Sequence, residues 1–173
     1  EPLRQSSNAD LSFSEFRITN ETRTEPDMNH SANWYFDFIS PFSYLQFKTF
    51  QRLPDSLDVR LVPILFAGLL NHWEQKGPAE IPRKRTDTYQ YCHWYAERHG
   101  IPFTTPPAHP FNPLKSLRLA IALNTTHEVV ELIFNYIWGE GKDVHTEEGF
   151  HGLTLEANLP NANDLISSAS VKD

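Results

Sequence analysis

From Trp34 onward the chain alternates between dense apolar runs and short polar or proline-rich breaks. Trp34 to Ile39 (WYFDFI) is apolar except for Asp37 and reads as a buried strand. Ser40-Pro41 then signals a helix start. A serine hydroxyl can accept from the free N–H groups of the first turn, and proline at the first helical position lacks only an N–H that would be unpaired anyway. Phe42, Leu45, Phe50 and Leu53 recur on one face of that predicted helix, which Pro54-Asp55 ends. Asp58 to Leu65 (DVRLVPIL) reads as a second strand. Strand, helix and strand in this order form a βαβ unit, with parallel strands and a right-handed crossover.

Downstream the pattern becomes helical. A polar loop is expected over 71–85. Helices follow at about 84–99, ended by Gly100, at 114 onward after Asn112-Pro113, at 128–138 before Gly139, and at 147–157 behind Thr146. A last short helix is expected over 163–172. The first 32 residues lack any sustained period; with three Arg against six acidic residues they read as a disordered extension, and the domain as starting near Met28, the only methionine. The expected division is 1–32 extension and 33–173 domain, with the βαβ unit at 33–70 and a mainly helical insertion at 71–160. Two strands alone make too small a parallel sheet to be stable.

Charge and composition narrow the function. Fifteen Lys and Arg against 22 Asp and Glu give a net charge of −7, which disfavours nucleic-acid or anionic-membrane binding. The longest apolar run, Leu61 to Leu70, falls short of the ~20 residues of a bilayer span and contains Pro63 and Gly68. Cys92 is the only cysteine, so no intrachain disulfide or Cys-x-x-Cys site can form. A reducing, cytoplasmic setting is the expectation. None of the eight histidines falls in a His-x-x-x-His or His-Glu-x-x-His spacing, and no metal is expected.

Candidate chemistry clusters at three places. Ser40 stands where the first strand hands over to the first helix, the edge at which open α/β sheets bind ligands. Its bland role is an N-cap; its functional role is to donate a hydrogen bond to an anion such as a thiolate. Pro82-Arg83-Lys84-Arg85 is a basic run in an acidic chain, at a helix start where cations oppose the dipole. His109 lies in a proline-stiffened loop, Ala108-His-Pro-Phe-Asn-Pro113.

In order, Tyr35-Phe-Asp-Phe-Ile-Ser-Pro-Phe-Ser-Tyr-Leu45, Gly77-Pro-Ala-Glu-Ile-Pro-Arg-Lys-Arg85, Pro107-Ala-His-Pro-Phe-Asn-Pro-Leu-Lys-Ser-Leu-Arg-Leu-Ala120 and Trp138-Gly-Glu-Gly141 resemble the successive motifs of the 2-hydroxychromene-2-carboxylate isomerases. These are relatives of kappa-class glutathione transferases within the DsbA-like branch of the thioredoxin superfamily. The resemblance implies an α/β, thioredoxin-like fold with an inserted all-helical subdomain. It implies glutathione as cofactor and a cis–trans isomerisation interconverting 2-hydroxychromene-2-carboxylate and trans-o-hydroxybenzylidenepyruvate, or a similar aromatic substrate. The glutathione thiolate would add to the ring-opened substrate, a single bond would rotate, and the thiolate would leave. Ser40 matches the family serine that hydrogen-bonds the glutathione thiol, and replaces the first cysteine of the redox relatives. Lys84 matches a lysine used against a glutathione carboxylate, and Gln75 falls near a glutathione-contacting asparagine. Asn71 and His109 fall near positions that meet the organic substrate; Asn71 departs from a lysine found in some isomerases. The family also implies a homodimer and a further C-terminal ββα part beyond Asp173, so the chain reads as C-terminally truncated. A kappa-like transferase and a non-catalytic thioredoxin-like fragment are the alternatives.

Overall fold

The computed structural model describes residues 30–168. Strand β1 (His30–Phe36) leads through a four-residue turn into helix α1 (Pro41–Phe47). A 3-10 turn (Phe50–Arg52) follows, and strand β2 (Leu57–Pro63) returns parallel to β1. The register runs from His30 opposite Leu57 to Phe36 opposite Pro63. This is the expected βαβ unit, and it forms the two-stranded sheet of the described residues. Among the described residues, helices α2 (Phe66–His72), α3 (Pro82–His99), α4 (Leu114–Ala122), α5 (His127–Phe134), α6 (Glu147–Glu156) and α7 (Ala162–Ser167) follow, with a 3-10 turn (Pro78–Glu80) ahead of α3.

Several boundaries differ from expectation for physical reasons. The first strand lies four residues earlier than the apolar run suggests. Its start, His30 to Asn33, is exposed and so carries no apolar signal. The run's end, Phe38-Ile39, is turn, because the Asp37 carboxylate accepts the Ile39 N–H at 3.1 Å and closes the backbone on itself. The expected extension therefore loses His30, Ser31 and Ala32 to β1; its residues 1–29, with Met28, lie outside the described residues, as does the end of the helix expected to reach 172. Helix α1 stops at Phe47, well before Pro54, and buries Pro41, Tyr44, Leu45 and Phe47, whereas Phe42 and Leu53 face solvent. The apolar stretch after Pro63 breaks into a second helix, so α2 crosses the expected boundary at residue 70 and shortens the polar loop.

The core is aromatic and lies between the βαβ unit and the helical block. Phe134, at the end of α5, is fully buried and touches the rings of Trp34, Phe36, Phe38, Tyr44 and Phe47. The helix does not stop there. Asn135–Gly139 continues as a π-turn, with the Glu140 N–H on the Asn135 carbonyl at 2.8 Å. This wider turn carries Trp138, also fully buried, whose ring stacks on Phe103 and meets His109 edge-on. Thr146 caps α6 as expected, accepting the Gly149 N–H at 3.1 Å. No helix among the described residues is long and apolar enough to cross a membrane.

Candidate functional site

The site is built around the turn Asp37–Ser40. Ser40 is the N-cap of α1, and its Oγ accepts the Ser43 N–H at 3.2 Å. That bond uses a lone pair. No acceptor among the described residues takes the hydroxyl proton, and the side chain is only half-buried, so the O–H can donate to a ligand.

The backbone leading to Ser40 is held at every carbonyl. The Phe36 carbonyl accepts the Ile64 N–H at 2.8 Å, and the Asp37 carbonyl accepts the Ser40 N–H at 3.1 Å. The indole Nε1–H of Trp138 donates to the Phe38 carbonyl at 2.8 Å. His109 Nε2 lies 2.9 Å from the Ile39 carbonyl. That oxygen can only accept, so Nε2 carries the ring proton. Nδ1 is then the acceptor for the Tyr89 hydroxyl, 2.6 Å away. The Arg85 guanidinium sits over the Tyr89 ring, 5.8 Å from its centroid. Burial pushes the His109 pKa down and Arg85 adds to the effect, against the opposing pull of the Ile39 carbonyl; the imidazole is neutral at neutral pH.

Asp37 ties the turn to α2. Its carboxylate is 2% exposed and accepts the Phe66 N–H at 2.8 Å as well as that of Ile39. Burial pushes its pKa up to about 6, with the N–H bonds from Ile39, Phe66 and Phe38 pulling the other way. Sequence reasoning passed over Asp37, although a lone carboxylate inside an apolar run is itself a sign of a buried clamp. It also missed Tyr89, for which the sequence carries no signal.

None of the remaining expected residues bonds to Ser40. Lys84 is in the first turn of α3, exposed, with no ion pair to any described residue, whereas Arg83 pairs with Asp87. Asn71 is exposed near the end of α2. Gln75, also exposed, donates from its side chain to the Trp73 carbonyl at 3.2 Å. His109 is buried with both ring nitrogens engaged, which leaves it no free polar atom for the substrate contact expected of it. Cys92 is buried in α3, its thiol pushed up to about 12 by desolvation, and so is inert. No metal-binding cluster of His, Cys, Asp or Glu occurs among the described residues. A groove of about 620 Å³ lies at the opposite end of β2, lined by Phe47, Leu57 and Val59 among others, and includes none of the expected site residues.

Residues 33–173 match the model of the DSBA-like thioredoxin domain. The chain belongs to that family. The DSBA-like domain is 25% identical over 158 residues to glutathione S-transferase kappa 2 of Caenorhabditis elegans, spanning 82% of this chain and 70% of that protein. A shorter match, 30% identical over 78 residues, is to glutathione S-transferase kappa 1 of the same organism, spanning 43% of this chain and 34% of that protein. The structure is similar to that of a 2-hydroxychromene-2-carboxylate isomerase, with a TM-score of 0.65 at 22% identity over 82% of this chain and 73% of that one. This likeness establishes the thioredoxin-like fold. With serine at the start of α1 and its single cysteine buried in α3, this DSBA-like domain offers no thiol at the end of β1.

Proposed function

We propose that this chain binds glutathione through Ser40 and uses it as cofactor in a cis–trans isomerisation of a ring-opened aromatic substrate of the 2-hydroxychromene-2-carboxylate type. The observation that carries the reading is the Ser40 hydroxyl, oriented by the Ser43 N–H with its proton left to donate. Bound glutathione would supply a thiolate that adds reversibly to the conjugated substrate and frees a bond to rotate. The Ser40 O–H would hold that thiolate in its charged form, since a hydrogen bond to the ionised sulfur favours it over the thiol. Lys84 would face a glutathione carboxylate, and the exposed amides of Gln75 and Asn71 would serve the peptide and the organic substrate. Kappa-class transfer of glutathione to an electrophile is the second reading, favoured by the similarity to two kappa transferases.

The two are separated by following the ultraviolet spectrum of 2-hydroxychromene-2-carboxylate with the chain, with and without glutathione, and assaying for an adduct. Isomerisation leaves none. Ser40→Ala should lower glutathione-dependent turnover roughly 10- to 100-fold, the worth of a hydrogen bond to a charged group, and change the KM for glutathione less. Unchanged kinetics in a folded Ser40→Ala variant would remove Ser40 from the reaction.

A further inference from the structure

We infer that His109 is a positioning residue, which sets the plane of the Ile39–Ser40 peptide and so aims the Ser40 hydroxyl, while Tyr89 holds the imidazole in the tautomer this requires. The inference rests on the reading of Ser40 as the functional hydroxyl.

The peptide joining Ile39 to Ser40 is gripped at both ends. Its carbonyl takes the His109 Nε2–H at 2.9 Å, and its N–H is given to the Asp37 carbonyl at 3.1 Å. With both ends fixed, the plane cannot turn, and the Ser40 backbone stays at φ −90° and ψ 114°, the extended geometry from which Oγ reaches the Ser43 N–H. The grip comes from far along the chain, 70 residues beyond Ile39. It works only if Nε2 bears the proton. An imidazole with its proton on Nδ1 would turn a lone pair toward the carbonyl oxygen and repel it. With Nε2–H given to the carbonyl, the Tyr89 hydroxyl donates to the bare Nδ1, a bond that favours this tautomer. The Phe111 and Trp138 rings, 5.9 Å and 5.2 Å from the imidazole, wall it in.

The test uses the full chain and reads three quantities. Nitrogen NMR of histidine-labelled protein should show His109 neutral and protonated on Nε2, and Tyr89→Phe should weaken that preference. The pH dependence of thiolate absorbance gives the pKa of bound glutathione. In His109→Ala it should rise by about one unit, a tenfold smaller thiolate fraction, with the glutathione Kd held within about twofold. His109→Gln, which restores an N–H donor, should recover most of the loss. A side chain that merely filled space would lower stability without moving the thiol pKa, and would not separate Gln from Ala. A wild-type His109 protonated on Nδ1, or an unchanged thiol pKa in a folded His109→Ala variant, overturns the inference. If wild type binds no glutathione, the glutathione reading fails by itself. The positioning role is then judged by hydrogen exchange at the Ser40 N–H, expected about tenfold faster in His109→Ala, and equal rates overturn it. Should His109→Ala not fold, Tyr89→Phe carries the same comparisons in the same directions.

Discussion

The βαβ unit and the helical block bury themselves differently. In β1 only Phe36 is fully buried, and no residue of β2 is; the strands are half-open on their described faces. In the helical block, α4, α5 and the π-turn contribute Leu117, Leu119, Ala120, Val130, Ile133, Phe134, Ile137 and Trp138, all buried. The candidate hydroxyl stands in the unit whose strands are half-open, and two groups that hold its turn, His109 and Trp138, come from the helical block. Part of the rigidity is thus imported: a short βαβ unit presents the chemistry, and the helical block supplies the donors to the Phe38 and Ile39 carbonyls of its turn.

The sharpest break of this comparison is a pair of truncations. Phe134→Ala removes a ring that meets five other aromatic rings across the boundary between the two regions, and should cost about 3–5 kcal/mol in denaturant unfolding. Val59→Ala, on half-buried β2, should cost about 1 kcal/mol or less. Similar losses at the two positions would mean that the sheet carries as much of the stability as the helices.

Asp37 gives the next largest effect, on pH. Its carboxyl pKa is raised from 3.8 to about 6 in the fold, so the folded chain binds more protons than the unfolded chain between those values. Its contribution is therefore favourable at low pH and is lost as pH rises from about 4 through 6, a change of about 3 kcal/mol at 1.36 kcal/mol per pKa unit. Asp37→Asn should flatten that part of the stability-against-pH curve, measured by urea unfolding at a series of pH values. A slope that survives in the variant assigns the titration to another group.

Much of the fold was legible because local signals agreed with it. Ser40-Pro41 and Thr146 announced their caps, and the two apolar runs announced a parallel pair. What stayed illegible depends on distant partners. His30 to Asn33 become strand only by pairing with β2, with no apolar pattern of their own. The apolar Phe38 marks burial without marking strand, because the deciding bond is the Asp37 side chain closing the turn. His109 could be singled out by its proline-rich setting, yet its partners Ile39 and Tyr89 lie 70 and 20 residues away, so the sequence could not separate a substrate contact from a strut.

Lys84 tests a candidate group that the helical block leaves without an ion pair to any described residue. It sits in the first turn of α3, exposed, while its neighbours are committed: Arg83 to Asp87 and Arg85 to the Tyr89 ring. A cation kept at the positive end of a helix is mildly unfavourable, so Lys84→Ala should leave stability unchanged or raise it by a few tenths of a kcal/mol. If the ammonium meets a glutathione carboxylate, the same variant should weaken glutathione binding about two- to fivefold, the worth of an exposed ion pair, and the loss should shrink in high salt. Titration calorimetry at two salt concentrations measures both. Equal affinity at low salt would make Lys84 a surface charge and confine recognition to the turn that the helical block holds in place.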